Sequence, residues 1–178
     1  QFRAFYAQKR RRSRNSNIPI VVPITKNFIN LLGDPPQAYY ELATPITFAG
    51  DFEVEVDFAT TSADSWEGLL GNASNTDAIQ FNSSGSIRFR ISGDTNFTSP
   101  VPRDGVLRAL KFVREGTDLT MYLDGLLLQT LTSSAAGLSL DLIGNTNGTN
   151  LFNGIISNVK LTDITTPANS LSFGLDEL

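Results

Sequence analysis

Residues 51–58 carry the feature that most constrains the fold, because apolar and acidic side chains alternate there at every position. Successive side chains of a β-strand point to opposite faces of its sheet. A period of two therefore indicates a strand with one buried face and one solvated face. The face expected to be buried holds Phe52, Val54, Val56 and Phe58, and the solvated face holds Asp51, Glu53, Glu55 and Asp57.

Short apolar runs separated by turn residues continue from there to the C-terminus. Residues 86–91 repeat the alternation, and Asp124-Gly125 is a two-residue loop of the kind that closes a β-hairpin. Many short strands without helical periodicity predict an all-β sandwich over residues 39–178. Further strands are predicted at residues 68–70, 78–81, 86–91, 106–114, 119–123, 126–131, 138–143, 155–162 and 171–173.

Residues 1–38 have a different composition and are predicted to form an extended arm or strap. Pro19 and Pro23 interrupt the apolar run 18–24, which allows at best an edge strand. Residues 1–32 hold seven basic and no acidic side chains, a charge of +7, whereas residues 33–178 carry a charge of -11. The chain is therefore a basic arm on an acidic domain.

The basic arm has three interpretations. It could contact nucleic acid, remain a solvated tail, or dock on an acidic protein partner. Interleaved aromatic side chains could serve as anchors, and the acidic domain offers complementary charge, so docking on other protein subunits is favoured over nucleic acid. The predicted assembly-arm residues are Phe2, Arg3, Phe5, Tyr6, Lys9, Arg10, Arg11, Arg12 and Arg14.

The chain has no cysteine and no histidine. Disulfides, thiolate metal sites and Ser-His-Asp or Cys-His catalysis within one chain are therefore excluded. No apolar stretch approaches the roughly 20 residues that a membrane-spanning helix needs.

Three ordered segments carry a resemblance to a known family. Residues 48–58 resemble the opening strand of the laminin-G/pentraxin branch of the concanavalin A-like superfamily. Residues 107–125 resemble its central hairpin, which ends in Leu123-Asp124-Gly125, and residues 142–161 resemble its Ile-Gly…Phe-x-Gly segment. The resemblance implies a two-sheet antiparallel jelly-roll sandwich, but it carries over neither a sugar site nor a calcium site.

Loop residues supply the candidate binding groups. A loop aromatic such as Trp66 can stack on a sugar or cover the end of the core, and the second is favoured. Asp and Asn in loops suit calcium but are also ordinary turn residues, so calcium is only a possible cofactor. Possible glycan contacts are Trp66, Asn72, Asn145 and Phe152, and weak calcium candidates are Asp64 and Asp77.

The acidic face of residues 51–58 raises the question of glycoside hydrolysis. Paired carboxylates can act as nucleophile and acid/base. Here the spacing of Glu53, Glu55 and Asp57 differs from that of the superfamily's enzymes, and a solvated strand face is the preferred interpretation.

The expected function is therefore that of a non-catalytic module in a larger assembly. We expect a virion protein, such as a phage decoration, fibre or tail-associated domain, with the arm as anchor and the sandwich displayed outward. A virion or extracellular location follows from that expectation. The alternative is a free carbohydrate-binding lectin, and glycan adhesion is compatible with both.

Overall fold

The computed structural model describes Ile24–Thr25 and residues 39–174. A single 3-10 turn, Pro167–Asn169, is the only helical element in this part of the chain. The predicted assembly-arm residues lie outside it. The strands are β1 (Ile24–Thr25), β2 (Tyr40–Phe48), β3 (Phe52–Ala59), β4 (Gly68–Gly71), β5 (Asp77–Phe81), β6 (Ser86–Ile91), β7 (Asp94–Pro100), β8 (Arg108–Glu115), β9 (Asp118–Leu123), β10 (Leu126–Thr132), β11 (Leu138–Ile143), β12 (Ile155–Asp163) and β13 (Leu171–Gly174).

The strands form two antiparallel sheets, which confirms the predicted all-β jelly-roll sandwich. Sheet A has the order β1-β2-β11-β4-β5-β6-β7, and sheet B has the order β10-β9-β8-β3-β12-β13. Gln129 on β10 closes one side of the sandwich, because its Oε1 accepts backbone N–H bonds from Thr98 (2.9 Å) and Ser99 (3.2 Å) on β7. The edges formed by β1 and β13 therefore lie on the opposite side.

The core consists of the inward faces of both sheets. The four inward-facing residues of β3, Phe52, Val54, Val56 and Phe58, are at most 1% exposed, as the alternation predicts. Phe112 on β8 meets Phe89 on β6 with ring centroids 4.9 Å apart and Phe97 on β7 at 5.6 Å. Phe58 packs edge-on against Phe81 at 5.6 Å near the end of β3. Aromatic contacts between the sheets thus fill the sandwich from one end to the other.

Two strands escaped the sequence prediction, and one began too early. β2 contains Pro45, which lies where the pairing with β11 shifts register, so the strand tolerates a residue without an N–H. β7 is an edge strand rich in turn-type residues, with only Thr95 and Phe97 buried in its first half. The strand predicted at 106–114 begins instead at Arg108, because Val106 and Leu107 are exposed loop residues.

Replacing Phe112 by Ala tests the core. We expect Phe112→Ala to lower the free energy of unfolding by about 3–5 kcal/mol, since it removes a fully buried ring and leaves a cavity between the sheets. Urea denaturation followed by circular dichroism measures the change. Leu126→Ala is the control, because that side chain is 72% exposed, and we expect a change within about 0.5 kcal/mol. Equal effects of the two substitutions would contradict this assignment of the core.

Candidate functional site

Trp66 lies in the loop 60–67, between β3 and β4, and is 41% exposed. Its backbone adopts φ 67°, a left-handed conformation that costs a bulky residue about 1–3 kcal/mol. The guanidinium of Arg88 on β6 lies 5.3 Å from the indole centroid, a cation–π contact. The sequence favours Trp66 as a cover for the end of the core, but the structure leaves a large part of the residue in solvent.

The residue after Trp66 anchors this loop. Glu67 is 3% exposed, and its Oε1 accepts the backbone N–H of Asn153 at 3.0 Å. Its Oε2 accepts a hydrogen bond from Arg103 at 3.3 Å. Burial raises the pKa of Glu67 above its ordinary value, while the hydrogen bonds and the charge of Arg103 act in the opposite direction. One carboxylate thus joins three loops that are distant in sequence.

Arg103 also connects this loop to the core. Its Nη1 also donates to the backbone carbonyl of Asp64 at 2.7 Å, and its guanidinium carbon lies 5.1 Å from the ring centroid of Phe81. The backbone N–H of Phe81 in turn donates to the carbonyl of Glu67 at 2.9 Å. Trp66 is therefore held on a loop whose backbone is fixed on both sides.

The outer face of sheet A continues from Trp66 as a row of polar side chains. The strand register places Gln80 on β5 opposite Arg88, and Arg88 opposite Asn96 on β7. Asp94 forms an ion pair with Arg88 at 3.0 Å and accepts a hydrogen bond from Arg90 at 2.8 Å. The Nε of Arg88 is buried and has no hydrogen-bond partner within residues 24–25 and 39–174. Gln80 is only 2% exposed, so the accessible part of this surface consists of the indole of Trp66, the partly exposed Arg88 and the exposed Asn96.

Asn72 and Asp77 bind each other and the backbone instead of projecting into solvent. The side-chain oxygen of Asn72 accepts the N–H of Thr76 at 3.0 Å, and its amide donates to the carbonyl of Ser139 at 3.1 Å. Oδ2 of Asp77 accepts the N–H of Ser139 at 2.9 Å and Oδ1 that of Ser92 at 3.3 Å. Burial raises the pKa of Asp77. Both residues therefore organise the turn that leads into the start of β5.

The two calcium candidates do not meet. Asp77 begins β5, whereas the loop of Asp64 joins the opposite end of that strand through Phe81 and Glu67. A five-residue strand separates its ends by about 13 Å, and one calcium ion needs ligands at about 2.3–2.6 Å. Within the described residues, no group of three or more acidic side chains is arranged to hold a metal.

Asn145 and Phe152, predicted as glycan contacts, are buried. Oδ1 of Asn145 accepts three backbone N–H bonds from residues 146–148, at 2.7, 3.1 and 3.0 Å. Phe152 packs edge-on against Phe58 in the core. The loop carrying Asn145 lies against β4 so closely that a Cβ at Gly68 or Gly71 would overlap Thr146. Of the four predicted glycan contacts, only Trp66 presents its side chain to solvent.

The acidic residues of β3 form the outer face of sheet B, as expected from their alternation. Glu53 pairs with Lys111 on β8 at 3.1 Å and with Lys160 on β12 at 3.7 Å. Glu67, Arg88 and Arg103 are not among the predicted site residues, because their roles depend on contacts between strands and loops that are distant in sequence. The described residues contain no helix long and apolar enough to cross a membrane.

The family comparison agrees with this architecture. The profile of the concanavalin A-like lectin/glucanases superfamily matches residues 34–171, so the chain belongs to this superfamily. The match confirms the resemblance drawn from the three sequence segments. No curated protein matches the chain in sequence.

Solved structures share the fold at low sequence identity. A candidate carbohydrate-binding protein from Bacteroides ovatus has a TM-score of 0.57 and 15% identity, over 75% of this chain and 43% of that chain. This chain therefore spans less than half of that protein. The heptameric SAP-like pentraxin of Limulus polyphemus has a TM-score of 0.53 and 13% identity, over 78% and 76% of the two chains. The CBM40 of the Ruminococcus gnavus IT-sialidase has a TM-score of 0.53 and 17% identity, over 68% and 80%.

The raised pKa of Glu67 predicts a pH-dependent effect of Glu67→Gln. Between the unfolded pKa and the higher folded pKa, the folded chain holds more protons, so this group's contribution to stability falls as pH rises. Gln cannot titrate. The unfolding free energy of the parent minus that of the variant should therefore decrease from pH 4.5 to pH 7, as measured by urea denaturation.

Glu115→Gln is the matched control, since Glu115 is an exposed acid at the end of β8. It removes the same charge without a buried partner. A difference for Glu67→Gln that increased with pH would contradict the direction of the shift.

Proposed function

We propose that this protein is a non-catalytic carbohydrate-binding module whose site is the exposed ring of Trp66 with the adjoining outer face of sheet A. The observation that carries the proposal is that Trp66 is 41% exposed, although its backbone is strained and its loop is fixed by the ion pair of the buried Glu67 with Arg103. Backbone strain concentrates at functional sites, where the surrounding structure holds it in place.

The chemistry of this surface suits a sugar ring. The apolar face of a sugar can stack on an indole, and the hydroxyl groups can bond to amide and guanidinium groups such as those of Arg88 and Asn96. A loop fixed by Glu67 and Arg103 loses little conformational entropy on binding. The names of the similar Bacteroides and Ruminococcus domains also point to carbohydrate binding.

A binding role without catalysis fits the placement of the carboxylates. Glu53 is neutralised by two lysines on the outer face of sheet B, whereas Trp66 contacts β6 of sheet A. Glu67, the acid next to Trp66, is enclosed by Asn153 and Arg103. Neither arrangement brings a pair of free carboxylates to the proposed sugar surface.

Trp66→Ala tests this proposal directly. A glycan array identifies a ligand of the unsubstituted protein, and calorimetry then gives dissociation constants. We expect Trp66→Ala to weaken binding at least about tenfold, the loss expected when an aromatic anchor is truncated. Trp66 is the only tryptophan, so its fluorescence should also change on titration.

Leu126→Ala is the control, because it removes a more exposed apolar side chain from sheet B. It should leave the affinity unchanged. If no glycan binds the unsubstituted protein on a broad array, with or without calcium, the proposal fails.

We also propose that residues 1–38 hold the domain in a larger assembly, such as a virion, with the sandwich displayed on the outer surface. The pairing of β1 with β2 favours this, since Ile24–Thr25 of the N-terminal region then forms the edge strand of sheet A. The opposite charges of residues 1–32 and 33–178 favour contacts between copies or with other subunits.

Light scattering on a sizing column tests the assembly proposal. The full chain should form oligomers, and a chain beginning at Gln37 should be a folded monomer. Raising the salt concentration should dissociate the oligomers, because it screens the charges of the arm. If both chains are monomers at low salt, the arm does not join copies of this protein.

A further inference from the structure

The outer face of sheet B ends in an exposed apolar patch. Most of the large apolar side chains that are exposed in the described residues lie there, on the loop before β8, the β9–β10 hairpin and the start of β12. These patch residues are Val106 (53% exposed), Leu107 (56%), Leu126 (72%), Leu127 (61%) and Ile155 (50%). Apolar patches of this kind on a soluble domain mark interaction surfaces.

The strand register places an acidic side chain beside this patch. Ile155 pairs with Ala59 on one side of β3. On the other side Phe58 pairs with Arg108, and because the two strands are antiparallel, the preceding residue Leu107 lies next to Ala59. Two residues back along β3, Asp57 lies between Ala109 on β8 and Asn158 on β12. Asp57 is therefore bordered by the small Ala109 and the uncharged amide Asn158 on the same face.

The nearby basic groups are engaged elsewhere. Arg108 pairs with Asp104 at 2.6 Å and Asp124 at 3.0 Å, and both lysines beside β3 lie within 4 Å of Glu53. Among the described residues, Glu55 and Asp57 have no basic partner within salt-bridge distance. The register places Lys111 and Lys160 opposite Glu55, whereas Asp57 has no basic residue opposite it on either neighbouring strand. The face thus combines an apolar patch with one acid, Asp57, that lacks a counter-charge.

The N-terminal arm has the complementary composition. It carries aromatic side chains at Phe2, Phe5 and Tyr6, six basic residues within residues 1–14, and no acid. Residues 1–23 precede β1 and can span up to roughly 75 Å when extended. β1 and β13 are the edge strands of sheets A and B on the same side of the sandwich. From β13, the next strands of sheet B are β12 and β3, so β3 lies about 10 Å from β13. The arm can therefore reach this face of its own domain or of a neighbour.

We propose that the outer face of sheet B around Asp57 binds residues 2–14 of the N-terminal arm. Aromatic side chains of the arm cover the apolar patch, and its basic side chains pair with Glu55 and Asp57. This inference depends on neither glycan binding nor a larger assembly, since docking within one chain would leave the protein monomeric.

Zero-length carbodiimide cross-linking of the full chain tests the proposal, because this reagent joins an amine only to a carboxylate in direct contact. Mass spectrometry should find Lys9 joined to Glu55 or Asp57. Mixing isotope-labelled and unlabelled protein shows whether the joined residues belong to one chain or two, and either result supports docking at this face. Cross-links of Lys9 only to acids elsewhere would overturn the proposal.

Charge reversal supplies a second measurement. Glu55→Lys with Asp57→Lys should release the arm and speed tryptic cleavage after residues 9–14 about tenfold, with the sandwich itself unaffected by circular dichroism. The matched control is Glu115→Lys with Asp118→Lys, which makes the same charge change at the far end of β8 and β9. Equal cleavage rates in the two variants would contradict the proposal.

Discussion

The two-residue period of β3 is the constraint on which both sides of this molecule depend. Its inward side chains pair across to β8 and β12 in the middle of sheet B and form the centre of the core. Its outward side chains are obliged by the same geometry to form an acidic surface. A shift of one residue in the register would bury Glu53, Glu55 and Asp57 and expose four apolar side chains, so the register is strongly fixed. The core and the charged outer face of sheet B therefore arise from one sequence pattern.

Arg114 is an exception to this alternation, because a charged side chain occupies an inward-facing position there. It occupies an inward position of β8 opposite Phe52 and is 1% exposed. Its guanidinium donates to the carbonyls of Gly50, Ser134 and Ala136 and lies 4.6 Å from the ring centroid of Phe52. Burial lowers its pKa, and the nearby charge of Asp51 acts in the opposite direction. A buried cation is tolerated there because carbonyl dipoles and an aromatic face replace water, and in return it ties the loops at that end to the core.

Periodicity predicted most of the strands, since the alternation of a strand is visible in residues that are neighbours in sequence. The number and spacing of those strands in turn predicted the sandwich. It could not distinguish an exposed loop aromatic from a buried one: Trp66 and Phe152 both follow strands, yet only Phe152 enters the core. The Glu67–Arg103 pair joins residues 36 positions apart, and no local sequence pattern predicts such a contact. Among the predicted ligands, Asn72, Asp77 and Asn145 bind nearby backbone N–H groups, because short polar side chains satisfy such groups first.

The two proposed surfaces lie on different sheets, and this separation has a consequence for binding. Trp66 and Arg88 belong to the sheet A side, whereas Asp57 and the apolar patch belong to sheet B. An arm bound to sheet B would therefore leave the indole free. A single exposed aromatic with a few polar neighbours gives weak affinity for one sugar, but copies held together by their arms would present several such sites at once. Multivalent attachment can exceed the single-site affinity by about 10²–10⁴ without any new contact. The proposed arm contact and the proposed sugar surface are therefore complementary: the arm would supply the number of sites that the sandwich alone lacks.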